Sequence, residues 1–365
     1  MTVTRPPAVP SRRLTLRSGG WVLLLAAAIS VLAMAWIAFP ILTREAPALR
    51  GDGRHPESYG FDLATATVPR AEIVASGMSV DGVAPLIDPP AMPASGVDRM
   101  HHEERGKYLV GSDRVVGVVL GGEARAYPLR VLNWHEVAND TLGGVPVAVT
   151  YSPLTDSVVV FDRRIGGETL VFGVSGLLYN SNQLLYDRRP SGSPSSLWSQ
   201  LLFRAIAGPA AARGVTLPVV PSQVVTWEAW RAAQPTTTVL DPDRTLLKRY
   251  RGNPYGMYYG SDLLRYPVTP LPATADPPYK TPVVVVQSAG GRAVIEIPGL
   301  ARRAGPGGST AAVTPVGTAP LRVTPEPPTV LVEPGPGSPE PMAHAFWFAW
   351  HAMHPEDPLI RGEAE

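Results

Sequence analysis

Between Arg125 and Gln200 the chain reads Arg-Ala-Tyr-Pro-Leu (125–129), Trp-His-Glu (134–136), Asn-Asp (139–140) and Val-Thr-Tyr-Ser-Pro-Leu (149–154). It continues with Val-Phe-Asp-Arg (160–163), Phe-Gly-Val-Ser-Gly (172–176), Tyr-Asp-Arg (186–188) and Ser-Leu-Trp-Ser-Gln (196–200). Short β-branched and aromatic runs alternate here with tight turns, which is strand chemistry. Polar residues able to do site chemistry sit between the runs. The expected strands are 114–120 and 124–127 around the Gly121-Gly122 turn, then 145–151, 157–161 and 169–174. Apolar residues at helical spacing predict helices over 197–206 and 225–233. The fold class is therefore α+β, mostly β.

Composition agrees. The chain has 41 Pro and 35 Gly in 365 residues, which favours turns and short strands over long helices. It has no cysteine, so disulfides, thiolate metal sites and thiol nucleophiles are excluded. A formal net charge of +1 gives no field that would select nucleic acid.

Working outward, the two halves of the chain echo one another. Arg114–Pro128 and Pro282–Pro298 each run from a valine-rich segment through a glycine turn to Arg-Ala and a second β-rich segment. Trp227-Glu-Ala-Trp230-Arg-Ala-Ala-Gln-Pro235 matches Trp347-Phe-Ala-Trp350-His-Ala-Met-His-Pro355, and each is followed by a short apolar end. The pattern predicts two related sub-modules around one continuous core, each closed by a Trp-bearing helix that stops before proline. The first holds the central stretch as an insertion.

At the N-terminus, Trp21 to Leu42 carries no charge. As a helix it would be about 33 Å long, enough for a hydrocarbon core of roughly 30 Å. Arg5, Arg12, Arg13 and Arg17 precede it, placing the N-terminus in the cytoplasm of a bacterial inner membrane and the main domain on the periplasmic side. Trp21 and Trp36 are the expected interfacial anchors, and the lipid bilayer is a partner through residues 21–42. A cleaved signal peptide ending near Ala46-Pro47-Ala48 is the alternative, and the apolar run is long for one. The layout expected is residues 1–20 cytoplasmic, 21–42 spanning, 43–105 a Pro-rich tether and lead-in, 106–240 the first sub-module, 241–281 a Tyr/Pro-rich connection and 282–365 the second sub-module. Residues 302–341 read as a Pro/Gly-rich surface loop.

Candidate chemistry is sparse. His135-Glu136 can ligate a metal or act as a general base, with Tyr151 and Asp156 as further members of such a site. A His-Glu-x-x-His zinc signature fails because residue 139 is Asn. His101-His102-Glu103-Glu104 reads as an exposed polar run, and His344, His351 and His354 as packed or surface side chains. Ser152 and Ser175 lack a Gly-x-Ser-x-Gly elbow, and no phosphate loop or dinucleotide fingerprint is present. Tyr250, Tyr255, Tyr258 and Tyr259 lie in a Gly/Asn/Pro context, where tyrosines stack on sugars, form a protein interface or cover a core.

The motifs of the central stretch, with Phe346-Trp347-Phe348-Ala349-Trp350, resemble the bacterial and archaeal family catalogued as domain of unknown function 3179. The resemblance spans roughly residues 100–360 and brings no established reaction. It implies a cysteine at the position of Ser152 and often a second at Thr155, hence a thiolate metal or redox pocket beside the His-Glu pair. This chain keeps His135 and Glu136 and has lost both sulfurs. The resulting expectation is a non-catalytic, membrane-anchored periplasmic accessory subunit without a cofactor. It would bind other membrane protein subunits, with a respiratory or photosynthetic assembly as candidate host. A metal-dependent or redox site at His135-Glu136 is the alternative, and a cell-envelope glycan binder on the tyrosine segment a second.

Overall fold

The computed structural model describes residues 50–103, 107–288, 291–304, 309–314, 317–325, 328–332 and 340–361, with isolated positions between 25 and 30. The chain divides into Met1–Leu49 and Arg50–Glu365. The apolar segment 21–42, including Trp21 and Trp36, falls almost wholly outside the described residues. Among the described residues no helix is long and apolar enough to cross a membrane.

Arg50–Glu365 is mostly β with short helices. Its central sheet runs in the order Leu86–Ile87, Val137–Leu142, Val145–Ser152, Ser157–Asp162, Glu340–Phe346, Pro282–Ser288, Gly291–Glu296 and Leu359–Ile360, and Val219–Val220 also pairs with Ser157–Asp162. Both faces of the two innermost valine-rich strands are buried. Side chains alternate across a strand. Ala148, Val159 and Phe161 therefore join one hydrophobic core, while Val147, Val149, Tyr151, Val158 and Val160 join another. A five-stranded sheet (Ile73–Ala75, Phe172–Tyr179, Asn182–Asp187, Leu197–Ser199, Arg204–Ala207) packs on the first core. A second five-stranded sheet (Ser222–Thr226, Arg114–Leu120, Glu123–Pro128, Thr238–Leu240, Ala91–Pro93) packs on the other. The single continuous core expected from the sequence is thus replaced by cores on either side of a shared sheet.

The two Trp-helix segments sit in the same topology. In one unit the order is Ser222–Thr226, Arg114–Leu120, Glu123–Pro128, Thr238–Leu240, with helix Trp227–Ala233. In the other it is Glu340–Phe346, Pro282–Ser288, Gly291–Glu296, Leu359–Ile360, with helix Trp347–Met353. In each the last strand returns parallel to the hairpin. The second Trp of each helix donates from Nε1 to the residue seven further on, Trp230 to Thr237 Oγ1 at 2.9 Å and Trp350 to Asp357 Oδ2 at 3.1 Å. Pairing sets Arg125 level with Ala293, one residue away from the Arg-Ala match suggested by sequence.

Three further expectations are corrected. The domain begins before the boundary expected near residue 106, and the lead-in is built into it. Tyr59, Phe61, Leu63 and Ile73 are core residues, Ile73–Ala75 pairs with Phe172–Tyr179, and Ala91–Pro93 pairs with Thr238–Leu240 before helix Ala94–Glu103. Residues 197–206 are not a helix but two strands, because Leu197 and Trp198 find partners at Tyr186 and Leu185 and bury against Phe172. The described part of the 302–341 segment forms a three-stranded sheet, Ser309–Thr314, Gly317–Pro325 and Pro328–Val332, with Val330 and Leu331 buried.

Gly117 shows how closely the first unit is packed. A Cβ there would lie 2.3 Å from the Trp230 ring. We expect Gly117→Ala to cost about 2 kcal/mol through overpacking. Urea denaturation followed by tryptophan fluorescence measures this, and an unchanged midpoint would show that the helix shifts freely.

Candidate functional site

A pocket of about 480 Å³ opens at one end of the central sheet. Helix Leu129–Leu132 makes a single turn after Pro128, and Glu136 N–H donates to Leu132 O at 2.7 Å. Glu136 adopts φ +57°, a left-handed conformation that disfavours any residue with a Cβ by roughly 1 kcal/mol or more. The chain then enters strand Val137–Leu142 with the His135 and Glu136 side chains lining the pocket. Strand Val145–Ser152 returns to the same end, since Val137 pairs with Thr150 and Tyr151 N–H donates to Glu136 O at 2.7 Å. This places Ser152 on the pocket wall, where its Oγ accepts from Gln183 N–H at 3.2 Å.

Two segments read as linkers complete the walls. Residues 76–84 are pinned by Tyr59 Oη donating to Met78 O (2.6 Å), Tyr266 Oη donating to Ser76 O (2.7 Å), and Asp81 accepting from Tyr186 Oη and Arg188 (2.5 Å each). The connection 241–281 is clamped at its far side by reciprocal bonds between the Asn180 amide and Thr269 backbone, at 3.0 and 2.8 Å.

His135 has both ring nitrogens engaged. Nδ1 lies 2.8 Å from Ala84 O, which only accepts, so Nδ1 carries the proton. Burial holds the imidazole below its ordinary pKa, so it is neutral and Nε2 accepts from Tyr250 Oη at 2.8 Å. Ligation of a metal would require breaking one of these bonds. Glu136 is the opposite case. It has no hydrogen-bond or ionic partner among the described residues, and burial alone pushes its carboxyl up to about 8. Nearby, Gln183 is 3% exposed and neither of its amide atoms has a partner. Asn133 Oδ1 and Trp134 Nε1 are likewise unmet. Buried polar groups are normally paired, so a cluster of exceptions around one cavity is informative.

The sequence-selected residues separate into two places. His135 and Glu136 line the pocket; Tyr151 and Asp156 lie behind it. Asp156 accepts from Arg114 at 2.7 and 2.8 Å and from Tyr151 Oη at 2.8 Å, and Tyr151 in turn meets Tyr259 Oη at 2.8 Å. Burial raises the Asp156 pKa, but the Arg114 charge and hydrogen bonds outweigh it and the net shift is downward. His344 Nδ1 donates to Asp156 O at 2.9 Å and Tyr258 Oη to Leu154 O at 2.8 Å. These groups brace the Ser152–Asp156 turn.

The tyrosines are not an open surface either. Tyr250 and Tyr258 are buried, Tyr259 stands on Tyr151, and Tyr255 alone of the four lines the pocket. Thr155 donates from its hydroxyl to Ser152 O at 3.3 Å but lies off the pocket wall, in a buried network with Ser157, Asn182 and Gln200 at 2.6–3.0 Å. His354 is stacked on Trp350 with ring centroids 4.3 Å apart. Gln183, Asn133 and Trp134, the Arg249 and Arg265 rim and the 76–84 wall were not foreseen. The one local cue was the polar Asn182-Gln183 pair opening an otherwise apolar run.

A mostly β, layered domain with this motif set defines a family. Over residues 81–319 the chain matches the family described as a protein of unknown function (DUF3179), and it belongs to that family. No curated protein and no solved structure matches it.

Two expectations follow. Arg114→Met strands Asp156 as a buried, uncompensated carboxylate and should cost about 3 kcal/mol, measured by chemical denaturation. A loss no larger than that of a surface arginine would show that the pair is solvated. Folding also moves the Glu136 pKa from its ordinary value of 4.5 to about 8. Between those values the folded chain holds a proton that the unfolded chain releases, so this contribution makes stability fall as pH rises. Glu136→Gln should flatten that fall in denaturation curves taken from pH 4.5 to 8; parallel curves for the two proteins would mean the carboxyl is not sequestered.

Proposed function

We propose that this protein is a non-catalytic accessory subunit, anchored through residues 21–42 with its main domain on the outer side of a bacterial inner membrane, where it binds and stabilises a larger membrane protein complex. The observation that carries this reading is the outer face of the 241–281 connection. Met257 is 93% exposed and Leu263 77% exposed, on a segment otherwise held rigidly. Tyr250, Tyr258 and Tyr259 fasten it to the body, and Lys280 Nζ donates to Tyr258 O and Ser261 O at 2.6 Å each. A rigid platform presenting two large apolar side chains loses little entropy on docking. Two such side chains on one fastened connection offer a partner apolar surface to bury.

The alternatives have less support. A metal centre on His135 competes with the Ala84 and Tyr250 bonds, and a glycan platform lacks exposed rings at Tyr250 and Tyr258.

The test is extraction of a C-terminally tagged full chain from its native membrane in mild detergent. Wild type should co-purify with a stoichiometric membrane complex, and the Met257→Asp, Leu263→Asp double variant should elute alone while keeping its melting temperature. Wild type eluting without partners would sink the proposal.

A further inference from the structure

The pocket brings together a carboxyl and two guanidiniums that the fold does not pair. Several buried or half-buried charges elsewhere are matched, as in Arg114–Asp156, Arg125–Asp140 and Arg130–Asp113. Glu136 has no such partner. On the pocket's rim Arg249 lies over the Trp134 ring at 4.6 Å and Arg265 over the Tyr258 ring at 5.6 Å, and neither makes an ion pair among the described residues. The Gln183 amide, almost fully buried, leaves a donor and an acceptor unmet on the same wall. An unpaired polar group in such a place costs free energy that a ligand can recover.

We propose that this pocket binds a small zwitterion, an amino acid or amino-acid-like compound with an apolar body, its ammonium meeting Glu136 and the Gln183 carbonyl oxygen, its body packing on Leu154 and Leu177, and its carboxylate facing Arg249 and Arg265. A simple amine would satisfy Glu136 and be repelled by the two guanidiniums. A simple anion would suit the guanidiniums and leave the Gln183 carbonyl oxygen and the carboxyl without a cationic donor. A neutral compound would leave both unmatched. An ammonium and a carboxylate carried on one small molecule answer the whole lining. The volume lies in the lower part of the range of roughly 300–1,000 Å³ typical of small-molecule sites. Charge pairing inside such a cavity is stronger than in water because the dielectric is low.

The proposal also fixes a proton count. The titratable and charged groups lining the pocket are His135, Glu136, Tyr255, Tyr266, Arg249 and Arg265. His135 has both nitrogens committed. Without ligand, the sequestered Glu136 carboxyl keeps its proton near neutral pH. An arriving ammonium favours the carboxylate, so Glu136 gives up that proton to solvent as the ligand binds.

The experiment is isothermal titration of the full chain in mild detergent with the standard amino acids, β-alanine and γ-aminobutyrate, near pH 7 in two buffers of different ionisation enthalpy. We expect saturable binding of at least one probe, tightest for an apolar side chain, with proton release. Its methyl ester, which lacks the carboxylate, and its N-acetyl derivative, which lacks the ammonium, should each bind about tenfold or more weakly. Glu136→Gln should weaken binding by a similar factor and abolish proton release, and Gln183→Leu should weaken it. Arg265→Met should erase the difference between the amino acid and its ester. Thermal melts check that each variant is folded, and the ester and N-acetyl comparisons on wild type decide the matter if a variant is not. The proposal is overturned if no probe binds more tightly than about 1 mM, if both derivatives bind as well as the parent, or if folded Glu136→Gln binds unchanged. Such a failure leaves co-purification through Met257 and Leu263 untouched, so the two readings are separately testable.

Discussion

The structure depends on one constraint: the inner strands of the central sheet are buried on both faces, so each must serve two cores at once. In Val145–Ser152, residue 148 faces one core while residues 147 and 149 face the other. A slip of one residue would exchange every contact on both sides. The register is therefore fixed twice over. Side chains reinforce it at the seams. Asn139 bonds the backbone of Phe172 in both directions at 2.8 Å, tying the central sheet to the sheet below it. Arg163 is buried and donates to Val147 O, Leu170 O and Asp140 O at 2.8–3.1 Å.

That rigidity explains how the pocket can exist. His135-Glu136 enters the sheet and Ser152 leaves it at the same end, so the strand ends hold the site while the Arg114–Asp156–Tyr151 network steadies the turn behind it. A left-handed glutamate, an unmet amide and a desolvated carboxyl would each weaken a looser scaffold. Here the surrounding layers hold the site in a conformation that its own residues disfavour. The pocket offers donors, acceptors and a carboxyl, with a hydroxyl at Ser152 where the resemblance implies a thiol.

Much of the β architecture is legible in the sequence because Val, Ile, Phe and Tyr cluster between glycine turns. The strands around Gly121-Gly122 and the pair 145–151 and 157–161 lie within a residue or so of the observed elements. Segment 197–206 is misleading because its apolar spacing suits a helix, and only distant partners at 184–186 make it two strands. The lead-in is hidden by its prolines, although Tyr59, Phe61 and Leu63 alternate as a buried segment should. The candidate site was half visible. His135 and Glu136 stand out by residue type, whereas Gln183 matters only because no partner reaches it. The tyrosines were read partly as surface because their covers, Leu154 and Tyr151, are about a hundred positions away.

The two hairpin-and-helix units also differ in how their outer strands are used. Ser222–Thr226 ends its sheet, while its counterpart Glu340–Phe346 goes on to pair with Ser157–Asp162. A repeated unit whose outer strand is terminal in one copy and joined in the other carries a latent seam. The pocket-bearing segment occupies that position. Of the chain between the two units, strand Ser157–Asp162 is the one joined to that edge.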